Sequence, residues 1–442
     1  GSMQGNYTMD ELNERFDELH GLFPNIISNR VVIGQSVEGR DIWAFKVSDN
    51  PNEDEDEPEV LYTALTHSRE PLGMMSLIYF VQLLAEARVS DPELEYLINN
   101  REMWFVPVVN PDGYVYNEVI EPNGGGMHRK NRRDTGCGNG TQRGVDLNRN
   151  FGYDWGANDQ GSSPNPCSET YRGESEFSEP ETDALRDFIL NRNFKNVLNF
   201  HTYANTYIHP FGSGLYPQEP DLITHREIGA ELSKYNQYFV GTCPESIGYT
   251  VNGGASDWTY GEAGLISFAP EVGSSIQGFW PPEDDVIELC IDQVYPNKIF
   301  SFVAGPDIVM DSYELSHEDM IPGETVGLDV VIQNRGLSDS DADIDISIHT
   351  LNEFLSLDTD SYTMSEMDAR DSDNFSISLD IEDNAPIGST SGVIVSIECD
   401  NSFNRVDTIE FVIGQRQLIF FDGFENELTN WMLDGDWGLI SD

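Results

Sequence analysis

His67-Ser-Arg-Glu70 sets an imidazole and a carboxylate three residues apart, directly after the apolar run Val60–Leu65 and just before Pro71. At a strand-to-helix corner both side chains can turn toward one point. Imidazole nitrogen and carboxylate oxygen together suit Zn²⁺, which takes such donors at about 2.0–2.2 Å. The chain is acidic and holds eight histidines, so an H-x-x-E pair should arise about once by chance. His201 ends a second apolar run, Asn196–Phe200. It would complete a two-His, one-Glu set with a fourth position left for water, which is the catalytic arrangement of zinc. A lone histidine there is more often a satisfied core residue. Gly144-Val-Asp-Leu-Asn-Arg-Asn150 is dense in polar groups, and arginine beside asparagine suits capture of a carboxylate. Alone, that stretch also reads as an ordinary polar loop. Glu271 closes the apolar run Ser267–Pro270. A carboxylate so placed is usually a cap or an ion-pair partner; beside a metal and a water it is a general base.

Something must bring these residues together. Up to about residue 305, short apolar strands alternate with amphipathic helices: strands at 60–65, 103–109 and 196–201, helices at 72–87, 180–191 and 287–303. This alternation predicts an α/β domain with a central mixed, mostly parallel sheet flanked by helices. Active sites of such sheets lie at the carboxyl ends of the strands. After Gly305-Pro306 the period becomes two, as in Val326, Leu328, Val330 and Ile332, or Ile344, Ile346 and Ile348. The same alternation recurs in Phe375–Ile381, Val393–Ile397 and Ile409–Ile413. An all-β, Ig-like sandwich of about 100 residues is expected there. The expected domains are therefore 1–305, 306–414 and, from 415 to 442, the start of a further β-rich module.

The 442 residues carry 78 acidic against 24 basic side chains, a net charge of −54. Such a surface repels nucleic acid and anionic membranes. Its plainest reading is solubility in salty or cold water. Calcium at the acidic run 53–57 is conceivable but not predicted, because the ligand spacing of a calcium loop is missing. No apolar run is long enough to span a bilayer, and Met74–Ala87 reads as a buried helix. The opening Gly1-Ser2-Met3 has the look of a cloning remnant, so a signal sequence would not be visible. Five cysteines without a C-x-x-C pair argue against a thiolate metal site.

The residues also form a recognisable series. His67-x-x-Glu70, Met127–Arg132, Gly144-Val-Asp-x-Asn-Arg-Asn150, Cys167–Gly173, His201-x-Tyr203, Tyr249-x-x-x-Gly253-Gly254, Asp257-Trp258 and Glu271 occur in this order. Together they resemble the zinc carboxypeptidases of the A, B and T type over roughly residues 7–303. The resemblance implies one Zn²⁺ per chain on His67, Glu70 and His201, with Asp146 orienting the first histidine. It implies Glu271 as the base that activates water and Arg129 as the group that stabilises the oxyanion. Asn148, Arg149 and Tyr249 would grip the terminal carboxylate of the substrate, with Arg69 and Ser256 also in the binding site. Cys137 and Cys167 fall where some members carry a disulfide; Cys243 with Cys290 is a candidate second pair, and Cys399 should be free. The implied enzyme is a secreted monomer that trims peptides or proteins with a free C-terminus. Sandwiches of this kind follow many secreted bacterial peptidases, an association that points to a bacterial origin.

Two other readings compete. A cell-wall peptidase on the same scaffold has no need of Asn148, Arg149 and Tyr249, and an inert binding module would have lost a ligand or the base. For specificity, the resemblance puts Ser256 at the floor of the side-chain pocket, with Ile208, Val251, Gly254 and Ala269 around it. This predicts a preference for neutral apolar C-terminal residues. Glu245 is the one acid that could favour basic ends from the rim.

Overall fold

The computed structural model describes residues 1–415. Its first part is built on an eight-stranded sheet. The strands are β1 (Val31–Gln35), β2 (Asp41–Val47), β3 (Glu59–Thr63), β4 (Glu102–Val106), β5 (Phe194–Asn199), β6 (Thr206–Ile208), β7 (Phe239–Gly241) and β8 (Ile266–Glu271), in the order β1-β2-β4-β3-β5-β8-β6-β7. The four central strands run parallel. Antiparallel pairing appears where β2 meets β4 and β1, and where β6 meets β8. Each residue of β3 and β4 is buried, as expected of strands covered on both faces.

Among the described residues, ten α-helices accompany the sheet: α1 (Met9–Leu22), α2 (Leu72–Ala87), α3 (Pro92–Asn100), α4 (Pro111–Ile120), α5 (Pro180–Leu190), α6 (Asp221–Leu232), α7 (Cys243–Ser246), α8 (Ala255–Gly261), α9 (Glu283–Ile291) and α10 (Val294–Phe302). Their starts are written in the sequence. Thr8 and Glu11 form a capping box on α1, Asp91 caps α3 before Pro92, and Pro180 opens α5. The single helix expected over 287–303 is two helices, broken at Asp292-Gln293. The helix α2 is the buried apolar helix foreseen. No single helix among the described residues is long and apolar enough to cross a membrane.

From Ile308 onward two four-stranded sheets follow. One has the order β12-β14-β10-β9 and the other β13-β11-β15-β16. The strands are β9 (Ile308–Leu315), β10 (Thr325–Asn334), β11 (Ile344–Thr350), β12 (Leu355–Leu357), β13 (Ser361–Met364), β14 (Ser372–Ile381), β15 (Thr390–Glu398) and β16 (Arg405–Val412). Both sheets feed one apolar cluster. It holds all the alternating residues of the sequence pattern, from Val326 on β10 to Ile413 just after β16. The module expected from 415 falls, beyond its first residue, outside the described residues.

Candidate metal centre and active site

The site lies where the parallel strands end. His67 and Glu70 occupy the turn between β3 and α2, His201 follows β5, and Glu271 is the last residue of β8. His201 and Glu271 are tied by backbone: the His201 N–H donates to the Pro270 carbonyl at 2.8 Å, and the Val272 N–H donates to the His201 carbonyl at 3.0 Å. The loop carrying Arg129 is fixed to the same corner, since the Ser68 N–H donates to the Arg129 carbonyl and the Ser68 hydroxyl to the His128 carbonyl. Asp146, Asn148 and Arg149 sit on a single 3-10 turn over Leu147–Arg149 and its cap.

Three donors converge. The Nδ1 atoms of His67 and His201 are 3.0 Å apart. Glu70 lies 3.0 Å from His67 Nδ1 through Oε1 and 3.0 Å from His201 Nδ1 through Oε2. All three side chains are buried. Tetrahedral ligands about 2.0–2.1 Å from zinc stand ~3.3 Å from one another, so this trio fits the ion. The first imidazole is also held in place from behind. His67 Nε2 lies 3.2 Å from Asp146 Oδ1, a carboxylate–histidine pairing that fixes a ligand ring.

The two imidazoles shift in opposite directions: burial and the nearby Arg129 lower His67, whereas His201 is raised because its contact with Glu70 outweighs burial. Burial alone would raise Glu70 and Asp146, yet both are held well below the usual carboxylate range. His67 and His201 do this for Glu70, and Arg129 and Arg149 for Asp146. Glu271 goes the other way: burial pushes it up to about 7.

The trio opens into a cavity of about 530 Å³ lined by Arg69, Arg129, Asn148, Arg149, Tyr249, Ser256 and Glu271 among others. Arg129 reaches Asp146 at 3.0 Å and Glu70 at 3.7 Å. Asn148 accepts from the Ala255 N–H at 2.8 Å. Arg149 is almost wholly buried and its Nε has no hydrogen-bond partner. Arg69 stacks over Phe279 at 4.2 Å, facing Glu169. Thus every residue singled out from the sequence as ligand, base or binding group borders this one cavity, with Asp146 directly behind it.

Other expectations need correction or addition. Glu245 does not line the cavity. It accepts hydrogen bonds from the Thr242 N–H and the Tyr216 hydroxyl instead. Cys137 and Cys167 form a disulfide. Cys243 and Cys290, the candidate second pair, are both free, as is Cys399. The reason is placement: Cys243 packs with Ile208, Val251 and Ala269 in the cavity wall, whereas Cys290 lies in the main core near Ser76 of α2. Phe279, Ser274 and Ser275 also line the cavity; a loop without pattern gave no sign of it. The acidic run brings Asp54 beside Glu59 and Glu102, where Arg192 pairs with all three.

The fold and donor set define an α/β metalloprotein with its metal site at the strand ends. The zinc carboxypeptidase family profile matches residues 12–295, and the chain belongs to that family. Mouse carboxypeptidase A1 is 31% identical over 288 residues, which cover 64% of this chain and 66% of the relative. Carboxypeptidase B of Astacus astacus is 30% identical over 287 residues, 63% of this chain and 90% of that protein. The crystal structure of the carboxypeptidase A from Helicoverpa armigera superimposes with a TM-score of 0.60 at 28% identity, covering 69% of this chain and 74% of that one. The chain thus spans just under two thirds of the length of the mouse relative.

Proposed function

We propose that the protein is a zinc-dependent exopeptidase that hydrolyses the C-terminal peptide bond of peptides and proteins. One observation carries this reading: a His₂Glu donor trio, a carboxylate at the end of β8 and a buried arginine with an unpaired Nε share a single cavity. A zinc ion held by His67, Glu70 and His201 would supply Lewis acidity to a carbonyl and acidify a water. Glu271 takes the water's proton and hands it to the leaving amine. Arg129, oriented by Asp146, faces the oxyanion that forms on the scissile carbonyl. Arg149 and Asn148, with the exposed Tyr249, hold the terminal carboxylate, so that attack falls on the last peptide bond.

In this reading residues 306–414 form an accessory β-sandwich that contributes no catalytic group, and the protein is a secreted monomer. The Cys137–Cys167 bridge supports an oxidising compartment. The test uses matched peptides with free and amidated C-termini. The zinc-loaded protein should release the last residue only from the free form, and a chelator should abolish release. Equal cleavage of the amidated peptide would remove Arg149 and its neighbours from the assigned role.

A further inference from the structure

The segment between Arg129 and Asp146 carries two arginines that converge on one exposed residue, Asn139. Arg132 is buried and stacks over Tyr116 at 3.7 Å. Its Nη1 and Nη2 donate to the carbonyls of Gly140 and Asn139 at 3.3 and 3.2 Å. Arg143 donates through Nε to the Arg132 carbonyl at 2.9 Å and through Nη1 to Asn139 Oδ1 at 3.0 Å. Neither arginine forms an ion pair among the described residues, although the chain holds 78 acidic side chains. Glu38 and Asp112 act on Arg132 only at longer range.

Asn139 precedes Gly140, and an Asn-Gly pair can close on itself. The glycine nitrogen reaches the asparagine side-chain carbonyl because no Cβ stands in the way. The described residues hold three such pairs, at 123–124, 139–140 and 252–253. In two of them the nitrogen is engaged: the Gly124 N–H donates to the Glu121 carbonyl at 3.0 Å, and the Gly253 N–H to the Tyr153 carbonyl at 3.1 Å. Asn252 is also buried. The Gly140 N–H makes no hydrogen bond among the described residues, and the space where a Cβ would stand is open.

The surroundings of Asn139 activate both reactants. Arg143 Nη1 sits on Oδ1, the oxygen that turns negative when the side-chain carbonyl is attacked. Arg132 and the Tyr116 hydroxyl both donate to the Asn139 main-chain carbonyl. They draw electrons from the Gly140 nitrogen and make its proton easier to lose.

We propose that Asn139 is a site of spontaneous covalent modification, at which the side-chain amide is lost through a cyclic imide with Gly140. The Gly140 nitrogen gives its proton to water and bonds to Asn139 Cγ. The Cγ–Nδ2 bond breaks, and Nδ2 takes up a proton and leaves as ammonia. Water then opens the imide. Addition at Cγ leaves an aspartate in the normal chain; addition at the main-chain carbonyl leaves an isoaspartate, with the chain running through Cβ and Cγ. The balance is one water consumed and one ammonia released, with nothing oxidised or reduced. Either product places a new carboxylate beside arginines that lack one. The assignment does not depend on the exopeptidase reading.

The test incubates the full chain at neutral pH and follows each Asn-Gly pair by peptide mapping with mass spectrometry, which reads amide turning into acid. In the folded protein Asn139 should convert at least about 10-fold faster than Asn123 or Asn252, whose glycine nitrogens must first break free of their hydrogen bonds. In urea the three rates should converge, and Asn139 should react more slowly there than in the folded chain. Arg143→Gln should slow conversion at Asn139 and leave the other two pairs unchanged. Three results each overturn the proposal: an Asn139 that converts no faster than its two counterparts, one that converts as fast in urea as in the folded chain, or one that is indifferent to Arg143→Gln.

Discussion

At the scale of single residues the site sorts carboxylates by their neighbours. Glu70 and Asp146 stay ionised because histidines or arginines surround them, whereas burial pushes Glu271 up to about 7. A general base works in its ionised form, so kcat/KM should rise with pH through the Glu271 pKa. A bound divalent cation favours the carboxylate and draws that value down. The acid limb of the profile should therefore lie at or below about 7. Glu271→Gln should keep its zinc yet lose at least about 10²-fold in kcat, because an amide cannot accept the water's proton. Stopped assays with parallel metal analysis check this; near-normal turnover in the folded variant would show that another group is the base.

At the scale of elements, the ligands depend on how closely α2 approaches β5. Gly73, at the start of α2, makes that approach possible: a Cβ there would stand 2.7 Å from Phe200 Cβ and 3.2 Å from Ala64 Cβ. Phe200 directly precedes His201. Gly73→Ala should therefore push the strand end that carries a metal ligand. Overpacking of this kind costs about 1–3 kcal/mol, and both Tm and zinc affinity should fall. Isothermal titration of the metal-free variant reads the affinity directly. Zinc binding as tight as wild type would mean that the strand end absorbs the methyl without moving His201. The sequence marked the helix at its observed bounds and the strand two residues late, since β5 ends at Asn199, and the contact between them has no signature in either segment alone.

Over the whole molecule, charge is spent unevenly. Between residues 306 and 415 there are three arginines and no lysine. All three lie at the junction with the first part: Arg335 faces Glu231 of α6, Arg370 pairs with Glu227, and Arg405 faces Glu93 of α3. Arg335 and Arg405 also enclose buried Asp307 at 2.9 and 2.8 Å. Phe403 packs on Phe302 of α10 and on Tyr96 of α3, and the Leu337 N–H donates to the Val303 carbonyl at 2.8 Å. Removing everything after residue 305 would bare Phe302 and Tyr96 and strip Glu227 of Arg370, while Glu93 and Glu231 would keep Lys298 and Lys234. Such a fragment should bind one zinc and cleave small peptides within about threefold of the full rate per bound metal, since no cavity residue is lost. Its Tm should be lower, by about 2–4 °C for each kcal/mol of lost contact in a domain of this size. An unchanged Tm would mean that the junction adds nothing to stability, and loss of activity with zinc retained would place part of the machinery in the sandwich.

The sequence by itself marked His67, Glu70, His201 and Glu271 as candidates at the ends of apolar runs, their roles implied by the family resemblance, and set out the alternation of both halves, because short-range order encodes these patterns. A ligand pair three residues apart at a corner, a carboxylate closing an apolar run, and a period of two in strands that share one core are all local patterns. Only the tertiary structure decided which residues share the cavity wall. It separated Cys243 from Cys290, took Glu245 out to a helix cap, and brought Asp257 into the pocket with a single backbone donor. Those outcomes depend on distances between segments far apart in the chain, set by how α7, α8 and β6 pack together. No spacing within one segment records them.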